Sequence, residues 1–167
     1  MKNLPRISRS SWLIAGIVMF VFVSLALMLV AQQSFSHRIK QVTLTKSSSS
    51  VSPEFYESTQ VTISSGSCKV VVSKYNAPEQ TEKCSIDDED FSKIKSAIYS
   101  YRVVDKMIAN SSESGLIEDK KLSMTIELQD GTTFTAILDS QFVEDMAPFF
   151  EEIQLLVPEL GKVMPNQ

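Results

Sequence analysis

The sequence has few of the residues that build common catalytic and metal centres. Its 167 residues include one His, two Cys and one Trp. The single His37 has no second histidine to form a zinc site, and it lies beside a hydrophobic segment instead of among acids. With five Gly and six Pro, the chain is neither collagen-like nor of low complexity. The sequence predicts no catalytic residues, no metal ligands and no cofactor.

Acidic residues are absent from the first 46 positions. Residues 1–46 carry a charge of +6, residues 47–167 carry −10, and the formal net charge is −4. Proteins that bind nucleic acid derive much of their affinity from Lys and Arg that neutralise phosphates. A domain this acidic repels a phosphate backbone, so no nucleic-acid partner is expected.

A hydrophobic run dominates the N-terminal part. Residues 12–31 read WLIAGIVMFVFVSLALMLVA and contain no charge. A helix of twenty residues spans about 30 Å, which is the thickness of the hydrocarbon core of a bilayer. The run is apolar on every face, unlike the one-sided stripe of a soluble surface helix. It predicts a transmembrane helix at 12–31 in contact with membrane lipid, preceded by a cytoplasmic segment at 1–11.

A cleaved signal peptide is the alternative for this segment. Signal peptides also begin with basic residues, but their apolar core is about 7–15 residues long and ends at small residues. Here the run is longer, and Leu29 occupies a position where a small residue is expected. We favour an uncleaved anchor. Cleavage would give a secreted soluble binding domain with a mature N-terminus near Gln32.

The orientation of the anchor is not decided by charge alone. Three basic residues precede the run and three follow it, so the positive-inside rule is nearly balanced. The α-amino group adds positive charge to the leading segment, and the trailing domain holds a cysteine pair that suits an oxidising compartment. We expect the N-terminus in the cytoplasm and the domain outside, periplasmic or extracellular. A cytosolic domain with two reduced thiols is the alternative.

The segment after the hydrophobic run is rich in serine. Residues 43–52 read TLTKSSSSVS, and a stretch with so little to bury is typical of a flexible spacer. The sequence therefore predicts a juxtamembrane linker at 32–53 and one folded domain at 54–167.

Alternating and helical patterns predict an α+β fold for that domain. Residues 59–64 and 67–75 alternate around Ser65-Gly66, and residues 122–139 alternate around Asp130-Gly131, so each pair predicts a hairpin. Helical spacing follows each hairpin, from about Asp87 and from 140 to 157. The order is hairpin, helix, hairpin, helix (ββαββα), and it predicts an antiparallel sheet with two helices on its apolar face.

Cys68 and Cys84 are the only cysteines. Cys68 falls on a predicted strand and Cys84 lies just before the first helix, with a turn-rich loop between them. A disulfide is expected outside the cell. Two free thiols or half of a metal site are the alternatives, and the second lacks further Cys or His ligands.

Three further patterns suggest chemistry, but each has a simpler explanation. The acidic run at 87–90 lacks the ligand spacing of a calcium loop and suits a helix N-terminus. Ser92 and Lys95 have the Ser-x-x-Lys spacing of penicillin-binding proteins without the partner motifs. An aromatic stripe fits either the core or a peptide or lipid groove, and it consists of Phe142, Phe149 and Phe150.

The leading hypothesis for function is a single-pass, membrane-anchored accessory or protein-interaction domain on the outer face of the cytoplasmic membrane. It rests on the anchor, the spacer and a compact acidic domain without a catalytic cluster. A small envelope hydrolase or ligand-binding protein that uses dispersed carboxylates is the competing hypothesis.

Overall fold

A computed structural model describes residues 18–24, 38–48, 53–111 and 120–164. The chain divides into two compact units, Met1–Phe35 and Ser36–Gln167. In the first unit residues 18–24 are helical, and the other residues of the predicted span at 12–31 lie outside the described residues. None of the helices in the described ranges has the length and the hydropathy that a bilayer crossing requires.

The second unit is an α+β domain built on one six-stranded antiparallel sheet, as the alternating patterns predict. The strand order is β4-β3-β2-β1-β5-β6, and short 3-10 helices occur at Pro53–Phe55 and Pro158–Lys162. The main elements, in chain order, are β1 (Ile39–Ser48), β2 (Glu57–Ser64), β3 (Ser67–Lys74), β4 (Gln80–Cys84), α1 (Asp88–Ser100), α2 (Val103–Ser111), β5 (Lys120–Leu128), β6 (Thr133–Leu138), α3 (Ser140–Asp145) and α4 (Ala147–Leu156).

The expected linker at 32–53 is wrong for residues 39–48, which form β1 in the interior of the sheet. β1 pairs with β2 on one side and with β5 on the other. Val42 and Leu44 are fully buried, whereas Thr43 and Thr45 on the opposite face are half-buried. The serine run at 47–50 overlaps the end of β1 at Ser48. Its composition therefore indicates a spacer although the preceding residues alternate as a strand.

A β-bulge at Lys40 explains why the start of β1 does not look like a strand. Ile39 pairs with Leu128 and Gln41 pairs with Glu127, so Lys40 is an extra residue in the ladder. An inserted residue reverses the alternation of faces. Ile39 and Val42 are three residues apart, so in a regular strand they would lie on opposite faces. The bulge places Ile39 on the same face as Val42, in the core, where Ile39 is 2% exposed.

The element order differs from ββαββα at two further places. β4 covers Gln80–Cys84, and its first four residues lie in the segment 76–83, which the polar composition assigns to a loop. It is a short edge strand, and four of its five residues are exposed. Such a strand buries too little apolar surface to leave a periodic signal.

Each of the two predicted helical regions contains two helices. Asp87 caps α1, since its Oδ1 accepts a hydrogen bond from the main-chain N–H of Asp90 at 2.7 Å. α1 and α2 are separated at Arg102, whose φ of 53° lies in the left-handed region. In the second region Pro148 lies in the first turn of α4, where its missing N–H has no helical partner to lose.

The core lies between the sheet and the helices. Buried strand residues share one face of the sheet, and those of α1 to α4 pack over that face. The opposite face is open and rich in hydroxyl groups. Thr125 and Thr135 lie 3.0 Å apart there through their Oγ1 atoms. We call this the open face. Its polar side chains are only partly buried, so one side of the sheet is solvated, as is common for antiparallel sheets.

Replacing Leu44 tests the position of β1. Leu44→Ala removes a fully buried side chain and is expected to lower the free energy of unfolding by about 2–5 kcal/mol. The control Thr45→Ala lies on the open face and is expected to cost less than about 1 kcal/mol. Urea unfolding of the full chain in mild detergent measures both. Equal small effects would contradict a central β1.

Candidate interaction surface

Cys68 and Cys84 form a disulfide between two neighbouring strands, consistent with the sequence expectation. They are directly opposite each other in the β3–β4 ladder, with their Cα atoms 4.7 Å apart. Cys68 is buried and Cys84 is half-buried on the helix-covered face. The bond links the edge strand, which has little other burial, to the body of the sheet.

Glu159 comes close to this disulfide. A carboxylate oxygen of Glu159 and the two sulfur atoms all lie within 4.8 Å of one another. Metal ions bind the cysteine thiolate, and both sulfur atoms here are covalently bonded to each other. The cluster is therefore a disulfide beside an acid.

The acidic run at 87–90 serves the start of α1. Asp87 is the N-cap, and the next three residues lie in the first turn. Acids are favoured there because the helix dipole is positive at its N-terminus. Lys93 pairs with Glu89 at 3.2 Å and with Asp90 at 2.8 Å, and these contacts raise the pKa of the Lys93 ammonium.

The other two patterns also have structural roles. Lys95 Nζ lies 5.2 Å from the centre of the Phe91 ring, a cation–π contact, and Ser92 is exposed on the same helix. The three phenylalanines are buried, at 7%, 0% and 2% exposure. The hypothesis that they line a groove is therefore wrong, because all three belong to the core. These residues are Phe142, Phe149 and Phe150.

The hydrolase hypothesis requires a carboxyl group tuned for proton transfer. Hydrolases commonly raise the pKa of their general acid by burial. Within the described ranges no polar or charged side chain is buried. The pKa of the Asp130 carboxyl lies below its usual value, because the main-chain N–H of Thr132 donates to it at 2.9 Å. The described residues thus offer this hypothesis no desolvated acid.

Three exposed aromatic side chains occur at one end of the β2–β3 hairpin. Phe55 is 65% exposed, Tyr56 43% and Tyr75 49%. Tyr56 and Tyr75 lie one residue beyond the pair Glu57–Lys74, which ends the ladder. The N–H of Tyr75 donates to the carbonyl of Tyr56 at 3.1 Å. The alternation of the strands places both on the side of the open face. We call Phe55, Tyr56 and Tyr75 the aromatic end.

Hydrogen bonds from Ser48 hold the backbone of the aromatic end. The Ser48 hydroxyl accepts from the N–H of Glu57 at 2.9 Å and lies 3.1 Å from the carbonyl oxygen of Phe55. Because Ser48 is the last residue of β1, these contacts fix the aromatic end to the central strand. The backbone is therefore positioned even though the side chains are exposed.

The two chain segments that carry the aromatic end are rich in acidic residues. Glu54 and Glu57 lie in the same segment as Phe55 and Tyr56, and Glu79 follows the turn after Tyr75. Lys74 is the one nearby base in the described segments 53–57 and 74–79, and it pairs with Glu57 at 3.2 Å. A partner that carries basic residues around an apolar patch would complement this surface.

Sequence reasoning did not single out these aromatic residues. Tyr75 was assigned only to the end of a strand, and residues 55 and 56 lie close to the expected linker boundary. A signal was present, because Tyr75 falls on the polar side of the alternation that includes Ser73. An aromatic residue in the solvent register of a strand indicates a contact surface when it is not isolated.

The most exposed large apolar side chain on the described helices of this domain is Leu155. Leu155 on α4 is 84% exposed and borders an open depression with Glu151, Gln154 and Pro158. One exposed leucine is ordinary for a protein surface. This depression is therefore a weaker candidate than the aromatic end.

The chain matches no protein-family model and no curated protein sequence.

Breaking the disulfide tests its contribution to stability. In the chain-entropy model a loop of this length contributes about 3 kcal/mol. Reductant is expected to lower the free energy of unfolding of the wild type by about that amount and to leave Cys68→Ala/Cys84→Ala unchanged. Urea unfolding with and without reductant measures this. A wild type that is insensitive to a reductant that demonstrably opens the bond would contradict the prediction.

Proposed function

We propose that this chain is a single-pass, membrane-anchored accessory protein whose α+β domain binds another protein through the aromatic end. The anchor is the hydrophobic run at 12–31, with residues 1–11 in the cytoplasm and the domain on the outer face of the membrane. The observation that carries the proposal is the grouping of Phe55, Tyr56 and Tyr75 in exposed positions on a fixed backbone.

Aromatic residues support a protein partner for a physical reason. Tyr and Trp supply a large contact area at a low cost in side-chain entropy, and they are enriched among the residues that dominate binding energy. Tyr56 and Tyr75 keep their hydroxyl groups available to bond a partner while their rings are covered. Elsewhere the open face presents mainly hydroxyl, amide and charged groups, although Ile137 on β6 is 42% exposed there.

The charge near the aromatic end favours one kind of partner. Glu54 and Glu79 make no ion pair among the described residues. Opposite charges at the rim of an interface steer association and exclude wrong partners more than they add affinity. The proposed partner is a protein of the same membrane or envelope with an apolar patch bordered by Lys or Arg.

The disulfide supports an outer location. Disulfides persist in oxidising compartments and are rare in the reducing cytosol. Cys68 and Cys84 are bonded in the fold, and the uncharged length of residues 12–31 suits a span of the bilayer. Together they favour an anchored domain outside the cytoplasm.

Labelling of single cysteines tests the anchor and its orientation. Ser65→Cys at the exposed β2–β3 turn is expected to react with a membrane-impermeant maleimide in right-side-out vesicles. The matched variant Asn3→Cys is expected to react only in inverted vesicles. Recovery of the chain in the soluble fraction, or the reverse labelling pattern, would contradict the proposal.

Substitution of two tyrosines tests the binding surface. Tyr56→Ala/Tyr75→Ala is expected to reduce cross-linked partner in intact membranes about tenfold or more, because loss of interface aromatics typically costs over 1 kcal/mol. Leu155→Ala is the control, since it removes an even more exposed apolar side chain from a different surface.

Two measurements, the urea midpoint and the set of cross-linked proteins, distinguish loss of binding from loss of folding. The urea midpoint of the tyrosine variant is expected to match the wild type, because both rings are exposed. Recovery of the same cross-linked proteins by the variant and the wild type would show that the aromatic end is not the binding surface.

A further inference from the structure

The two edges of the sheet differ in how they are protected. At the β6 edge, α2 packs against the strand, and Asn110 Nδ2 donates to the carbonyl of Ile137 at 2.7 Å. At the β4 edge, no residue of the described ranges other than its ladder partners on β3 bonds to the main chain of Gln80–Cys84. An unpaired edge is a template for another strand.

The geometry of the disulfide shows which groups of β4 face outwards. Directly opposite residues of an antiparallel pair have Cα atoms about 4.5 Å apart when they do not exchange hydrogen bonds, and about 5.5 Å apart when they do. The Cα atoms of Cys68 and Cys84 are 4.7 Å apart, so the main-chain groups of these two residues do not hydrogen-bond to each other. By alternation, the N–H and carbonyl groups of Gln80, Glu82 and Cys84 point to the free edge.

The charges next to this edge are not balanced. Lys83 lies directly opposite Lys69 on the open face, and neither forms an ion pair among the described residues. Like charges directly opposite each other destabilise a sheet. A strand added to β4 would relieve this repulsion if it placed a carboxylate beside Lys83.

We propose that two copies of this chain associate by antiparallel pairing of their β4 strands, with Thr81 opposite Thr81 of the second copy. This register places Lys83 opposite Glu79 of the second copy, and the two-fold symmetry makes that contact twice. Gln80 of each copy is then opposite Glu82 of the other copy. These two pairs use the outward-facing main-chain groups for their hydrogen bonds. The two sheets join into one.

Other registers fit less well. Centring the pair on Glu82 sets two glutamates opposite each other, and centring it on Lys83 sets two lysines opposite each other. In the Thr81 register the Glu82 carboxylate faces the neutral Gln80. It also has a cation in its own chain, since Lys162 Nζ lies 2.5 Å from it.

The size of the edge predicts a reversible dimer. β4 has five residues, and stable specific interfaces bury about 1,200–2,000 Å² in total. A pairing over one five-residue strand is too small to reach this range, so the dimer is expected to be weak and reversible. The dimer uses Glu79, which also lies near the aromatic end, but it uses none of the three aromatic side chains, so their substitution is expected to leave the dimer intact.

Charge reversal tests the register in the full chain in mild detergent. Lys83→Glu and Glu79→Lys each create two repulsive contacts per dimer. Each is expected to raise the dissociation constant of the dimer about tenfold. Lys83→Glu/Glu79→Lys in one chain restores opposite charges and is expected to return to within about threefold of the wild type. Sedimentation over a range of concentrations measures the constants.

A second measurement does not depend on charge. Thr81→Cys is expected to give a reducible cross-linked dimer, because the two Cα atoms would lie about 4.5 Å apart, within disulfide range. Thr62→Cys, on the open face of an interior strand, is expected to stay monomeric on the same gel. A monomeric wild type at all concentrations, failure of the double reversal to restore association, or equal cross-linking of both cysteine variants would overturn the proposal.

Discussion

The pairing of β1 with both of its neighbours is the constraint on which the domain depends. β2, β3 and β4 lie on one side of β1, and β5 and β6 lie on the other. Among the strands of the described ranges, β1 alone connects these two groups within the sheet. The buried side chains of β1 also lie at the centre of the face that the helices cover, so the strand links the ladder to the core. Its last residue, Ser48, holds the backbone of the aromatic end.

The construction of the sheet separates stability from recognition. One face is apolar and covered by four helices, and this burial supplies the main favourable free energy of folding. The open face and the free β4 edge contribute little burial and present polar side chains, main-chain groups and the aromatic end. The disulfide compensates at the place where packing is weakest, because it holds the exposed edge strand to its neighbour. Substitutions on the open face and at the β4 edge are therefore expected to cost less stability than substitutions in the core.

Sequence patterns predict the parts of the fold that have a buried and an exposed face in regular alternation. The hairpin around Asp130-Gly131, the start of the first helix at Asp87 and the α+β class follow from such patterns. β1 and β4 do not. The bulge at Lys40 breaks the alternation of β1, and β4 has one half-buried residue and no buried one. β1 forms because it pairs with β5, about 80 residues further along the chain, and β4 forms because it pairs with the neighbouring strand β3. Neither pairing leaves a periodic pattern in the strand's own residues.

Hydrogen exchange of the β1 amides tests the central position of this strand most directly. The account predicts that the amides of residues 42–46 are among the slowest to exchange in the domain, since their release requires separation of the two groups of strands. At concentrations where the chain is monomeric, the amides of β4 that point to the free edge are expected to exchange much faster. Rapid exchange throughout residues 39–48, as in an unstructured linker, would contradict the account.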